Sequence, residues 1–221
     1  MKLMDQIRAA IGPAHERIEQ TAYSKALMSD YINPKDYARG IAQLWYIHQA
    51  IEQSIEQDPT LSGFFSAEMV RTATIVKDLD ALAFGLESFD CLPETAQIVA
   101  TIKKWAESSS FSILGCIYVL EGSRMGSLVI ARFLTKALGN VPGSNVGIEY
   151  HTEGAASTPI RVRAFKDKID SAGLSSEQAD AMLLGSVEFM NRLNDLYDAL
   201  PVASRSSSVH LDRPIQISQS A

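Results

Sequence analysis

Cysteine is scarce in this 221-residue chain, and the two present, Cys91 and Cys116, lack metal-ligand spacing. A cysteine-built metal centre is thereby excluded, and a reducing cytoplasm is the expected compartment. Positive charge is also short. A net charge of -6 gives no general attraction to nucleic acid or anionic lipid, so any basic site must be local. The N-terminus lacks the basic flank, apolar block and small-residue cleavage site of a signal peptide. No sustained apolar/polar alternation is bounded by hairpin turns, which excludes a sheet protein. The chain has no Glu-x-x-His pair, the commonest ligand motif of dinuclear carboxylate sites. The most apolar stretch, residues 111–134, is interrupted by Glu121, Arg124 and Arg132. Burying those charges in lipid is expensive, so the stretch reads as a buried helix of a soluble protein and not a membrane span.

What remains is an all-α domain, residues 1–200, followed by a polar tail, 201–221, expected to be disordered. Leu3, Ile7, Ile11, Ala14 and Ile18 recur at helical spacing, with Gly12-Pro13 expected to kink or restart that helix. Asn33 and Pro34 open a second helix, whose seam is Tyr37, Ile41, Leu44, His48, Ile51 and Ile55. A third helix is predicted from near Ser66, carrying Val70, Ala73, Val76, Leu79 and Leu82, and a fourth from near Pro93. The apolar run 113–134 is read as one helix, residues 139–158 as a long loop, and two helices follow at 159–172 and 176–199. Ser175 and Gln178 stand at capping-box spacing before the last.

Gly122 and Gly126 lie four apart inside the apolar run. Each glycine in a helix interior costs about 1 kcal/mol against alanine, so something must approach the backbone closely there. Close packing of another helix and a planar ligand explain the pair equally well. Of the four histidines, His151 in the long loop and His210 in the tail read as solvent-exposed, while His15 and His48 lie beside or on apolar seams. A tetrapyrrole slot needs an imidazole on one wall and a thin opposite wall, and His15 with the glycine pair offers both.

The leading segment IRAAIGPAHERIEQTAYSKALM and the later LGCIYVLEGSRMGSLVIARFL resemble the proximal and distal helices of heme oxygenases. The second is most similar to the bacterial, phytochrome-associated branch, whose motif reads approximately Y-V-L-E-G-S-x-x-G-G. The resemblance implies a single-domain helical bundle with heme sandwiched between the two helices. It makes His15 the axial iron ligand and sets Gly122 and Gly126 against the distal heme face, with Tyr118 one turn before them. Ser123 would hold the distal water that an aspartate organises in the animal enzymes. Arg8, Arg161, Arg163 and Lys166 are implied partners of the heme propionates. Heme serves as substrate and cofactor, and O2 and electrons from a ferredoxin or an NAD(P)H-dependent reductase open it to biliverdin, carbon monoxide and ferrous iron. No nucleic-acid or membrane partner is implied, and the protein is expected as a monomer or homodimer.

Three positions depart from the motif: Ser127 replaces its last glycine, Arg124 places a cation within it, and Pro159-Ile160 lacks the aromatic residue common near the late helix. Arg124 is expected to point away from the pocket or to reach a propionate or the distal water. Other readings keep the fold and change the chemistry. They are a heme carrier or sensor that does not degrade its ligand, a dinuclear metal oxidase using the trio His48, Glu52 and Glu56, and a thiaminase-type hydrolase with Cys116 as nucleophile.

Overall fold

A computed structural model describes residues 2–141 and 143–203, and every regular element among them is helical. The order is α1 (Leu3–Gln20), α2 (Ala22–Leu27), α3 (Pro34–Gln57), α4 (Pro59–Ser62), α5 (Thr72–Ala81), α6 (Pro93–Ser108), α7 (Phe111–Ser123), α8 (Ser127–Ala137), α9 (Glu149–Thr152), α10 (Thr158–Ser171) and α11 (Ser176–Ala199). The start signals act as the sequence predicts. Asn33 accepts from Asp36 N at 2.8 Å to cap α3, and Ser175 and Gln178 form the reciprocal capping box of α11.

Helix α11 is the central support, and both α1 and α7 make their main contacts with it. Every residue of α7 from Ser112 to Glu121 is buried, so this helix has no polar face to turn outward. Its closest approach to α11 is made by two glycines. A Cβ on Gly115 would lie 2.5 Å from Met182 O and Ser186 N, and one on Gly185 would strike Ser112 O. Helix α1 is amphipathic: Met4, Ile7 and Ile11 enter the core, and the opposite face is open.

Several boundaries differ from the sequence reading. Helix α1 passes through Pro13 without interruption. The third predicted helix begins six residues late, at Thr72, behind a short 3-10 turn, Ala67–Met69. Its start is fixed from a distance: Glu52 of α3 accepts from Arg71 N at 2.8 Å and Thr72 Oγ1 at 2.6 Å, satisfying donors that a helix N-terminus leaves free. Val70 and Val76, placed on the predicted helix's apolar row, are exposed. The apolar run 113–134 is broken by a 3-10 turn, Arg124–Gly126, between α7 and α8. The predicted long loop contains α9, whose Tyr150 and His151 are buried. Of the predicted tail, 201–203 are described, and Ala203 N donates to Asp36 Oδ2 at 2.8 Å. Its remainder, with His210, lies outside the described residues.

Candidate active site

One wall of the candidate site is α1. His15 is exposed, with 53% of its side chain accessible, and its Nδ1 lies 3.4 Å from Glu19 Oε1 one turn later. A carboxylate beside Nδ1 is the kind of neighbour that orients metal-ligating imidazoles. The turn bearing His15 is pinned to α11 by Asn194, whose Nδ2 donates to Ala14 O at 2.9 Å and whose Oδ1 accepts from Arg17 Nε at 3.0 Å. Alongside runs a cleft of about 480 Å³ lined by Asp5, Arg8, Ala9, Gly12, Pro13 and Glu16. Pro13 has no N–H, so the Ala9 carbonyl that would face it along the helix lacks its usual donor.

The other wall is the broken helix. A Cβ built on Gly122 or on Gly126 meets nothing within 4 Å, so neither glycine is explained by packing against a described element. Met125, Leu128 and Val129 beside them are exposed apolar side chains. Ser123 donates to Leu120 O at 2.7 Å, which commits its proton and leaves its oxygen as an acceptor. Ser127 is buried and starts α8 on the side away from this open face.

Tyr118 stands one turn before Gly122 on α7. Lys166 Nζ lies 5.5 Å from the centre of its ring. Burial raises the Tyr118 pKa, and Arg8 and Asp5 are the charges that act on its phenol. Arg8 precedes His15 by two helical turns. Arg8 acts on the phenol from α1 through its charge, and Lys166 of α10 is brought to the ring itself. Arg163 is not: it is exposed and paired with Asp167 at 3.8 Å.

Arg161, expected at a propionate, is instead buried and bonded through Nε to Glu121 Oε2 at 2.7 Å. Arg124, also expected at the ligand, is only 5% exposed and points into the protein. Its Nη1 donates to Tyr150 O at 3.0 Å and its Nη2 to Glu153 O at 2.6 Å. Burial, and then the neighbouring Arg71, lower its pKa to about 10. The sequence concealed this layer, because its acceptors belong to a segment that reads as loop.

His48 Nε2 lies 3.3 Å from Tyr150 Oη, and burial followed by Arg71 and Arg124 lowers its pKa to about 3. His151, read as exposed, is buried, with its pKa likewise near about 3 from burial and Arg124. Both rings are neutral at physiological pH and neither faces the cleft row. Glu52 is occupied at the start of α5, and among the described residues no three His, Cys, Asp or Glu side chains converge as a metal site. Cys116 is fully buried, and burial raises its thiol pKa well above the ordinary value, the opposite of an activated nucleophile.

The residues present fit a flat, apolar, dianionic ligand: a free imidazole nitrogen on one wall, an open glycine surface on the other, and cations at one end. Comparison with known proteins agrees. A family model described as heme oxygenase matches residues 1–193. A heme oxygenase of Takifugu rubripes is 25% identical over 224 residues, spanning 96% of this chain and 80% of that protein. The solved heme oxygenase of Leptospira interrogans superimposes with a TM-score of 0.80 at 17% identity, covering 90% of this chain and 99% of that one. Heme oxygenase-1 of the cyanobacterium Synechocystis, in complex with heme, gives 0.78 at 12% identity over 90% and 91% of the two chains. At such identities the two solved structures establish a shared fold.

Proposed function

Since the chain belongs to the heme oxygenase family, we propose that it opens heme to biliverdin, carbon monoxide and ferrous iron with His15 as the axial ligand. The observation that carries this assignment is the pairing of an exposed, carboxylate-oriented His15 with two glycines whose Cβ positions are open. Heme is the substrate and supplies both the redox-active iron and the carbon that is oxidised. The protein's contribution is therefore orientation and control of protons.

Glu19, 3.4 Å from His15 Nδ1, would orient the ring and leave Nε2 for the iron. Gly122 and Gly126 allow backbone to lie against the macrocycle, where any side chain would hold it off. Ser123 offers its oxygen as an acceptor to a distal water, its own proton being committed to Leu120 O. Lys166, over the Tyr118 ring, and Arg8, whose charge acts on the same phenol, receive the propionates. Molecular oxygen and electrons from a ferredoxin or an NAD(P)H-dependent reductase complete the reaction. The setting we assign is the cytoplasm.

A hemin titration followed through turnover tests the proposal. The wild-type chain is expected to give a Soret band at one heme per chain, which is lost as biliverdin forms with reductant and oxygen. His15→Ala abolishes the coordinated spectrum, added imidazole restores it, and His48→Ala leaves it intact. A stable ferrous-oxygen spectrum without biliverdin makes the protein a carrier or sensor, and loss of the spectrum in His48→Ala alone refutes the ligand assignment.

A further inference from the structure

The turn Arg124–Gly126 carries the distal surface, yet little holds it. Gly122 and Gly126 touch nothing through a side chain, Ser123 bonds only to Leu120 O within its own helix, and Met125 is 56% exposed. Among the described residues, Arg124 is the only side chain of 122–126 hydrogen-bonded to another element. Its planar fork spans two carbonyls at the end of α9, acceptors that a four-residue helix cannot satisfy itself.

The far side of this brace is well anchored. Asp78 of α5 accepts from Glu149 N and Tyr150 N, both at 2.7 Å, and so closes the start of α9. Tyr150 Oη meets His48 of α3. The Glu153 carboxylate accepts from Thr74 Oγ1 at 2.5 Å and lies 3.7 Å from Arg71. A continuous chain of contacts thus runs from α3 and α5 through α9 to the break in the distal helix. Among the described residues Arg124 has no carboxylate partner within ion-pair distance, and its Nε has no hydrogen-bond partner. A buried cation held by carbonyls alone is a poor stabiliser of a fold, which directs attention to what it positions.

We propose, resting on the heme oxygenase reading above, that Arg124 is a positioning residue: its grip on the Tyr150 and Glu153 carbonyls sets the distance of Gly122, Ser123 and Gly126 from the substrate. It governs how productively the distal wall is placed and not whether heme binds. Lysine keeps the charge but lacks the fork, so it can hold one carbonyl at a time. Methionine keeps the apolar bulk and holds neither.

The test compares the wild-type chain with Arg124→Lys and Arg124→Met. In the ligand-free proteins, amide hydrogen exchange across residues 122–127 is expected to quicken in both variants while far-ultraviolet dichroism is unchanged. In the hemin complexes, affinity stays within about threefold, but biliverdin formed per oxygen consumed falls about tenfold in the methionine variant, the scale of a small misplacement. The lysine variant falls between, with hydrogen peroxide making up the difference. The acid–alkaline optical transition of the ferric complex shifts in both. Should the methionine variant fail to fold, the lysine variant carries every measurement. Unchanged exchange, coupling and optical transition in a folded variant overturn the proposal. If the wild type binds hemin through His15 but forms no biliverdin, the functional assignment fails, and exchange and the ferric transition still decide the role of Arg124.

Discussion

Replacing Gly122 with alanine separates the two explanations of the glycine pair. Gly122 is a helical residue of α7, and its Cβ would meet no atom within 4 Å. The substitution therefore adds no clash to the ligand-free fold and removes the entropic cost of a helical glycine, a gain of roughly 0.5–1 kcal/mol. For a chain of this length that raises Tm by about 1–4 °C. Gly115→Ala in the same helix is the control, since its Cβ would lie 2.5 Å from two backbone atoms of α11. Overpacking of that kind costs about 1–3 kcal/mol or more. Thermal denaturation of the ligand-free variants should move Tm in opposite directions. Hemin titration should then show weaker binding for Gly122→Ala, by about tenfold or more, which corresponds to about 1.4 kcal/mol. If Gly122→Ala destabilises the ligand-free chain as Gly115→Ala does, Gly122 is a packing residue and the open-wall argument fails. If both affinity and turnover survive, no macrocycle lies against it.

Two further outcomes follow from the buried charges. Glu121→Gln removes the buried carboxylate of Arg161 and leaves it the exposed Glu68 at 3.6 Å, so it should cost about 1–3 kcal/mol in urea unfolding; the double variant Glu121→Leu with Arg161→Met should recover most of that, and no loss in the single variant contradicts the pairing. Stability should also fall in mild acid. His48 and His151 have folded pKa values lowered to about 3, so between the unfolded value and that point the unfolded chain binds two protons that the fold refuses. Asp78 acts oppositely: its pKa is raised to about 6, so the fold takes up a proton there that the unfolded chain does not. Between about pH 6 and 4 the balance of these three groups is a loss of about 1.4 kcal/mol per pH unit, and Asp78→Asn should steepen it to nearly double. Denaturant unfolding across that range checks the slope, and a flat profile would contradict the neutral histidines.

The sequence was most legible where local chemistry decides. Asn33 and Ser175 opened the helices they were expected to open, because a cap is read from a few adjacent residues. His15, the glycine pair, Tyr118, Arg8 and Lys166 are assignments from spacing and resemblance; the structure adds that the Cβ positions of Gly122 and Gly126 are open and that Lys166 lies over the Tyr118 ring. What stayed hidden depends on partners far along the chain. Glu52 sets the start of α5 from 19 and 20 residues away, so the third helix was drawn too long. Arg161 looked like a ligand for an anion because Glu121, 40 residues earlier, reads as an interruption of an apolar run. Arg124 was ambiguous for the same reason, its acceptors being backbone carbonyls that carry no signature in side-chain identity. Asn194 was missed outright, although a lone amide on the apolar seam of α11 is a signal of its own.

The close backbone packing of Gly115 on Met182 and Ser186, and of Gly185 on Ser112, involves no residue assigned to the ligand, yet it acts as the molecule's ruler. Helix α11 carries the His15 wall on one flank through Asn194 and the glycine wall on another through this backbone contact. The width available to the substrate is then a difference between two offsets measured from a single axis. A methyl group at either glycine would push the second wall off its mark while leaving every residue of the site chemically unaltered.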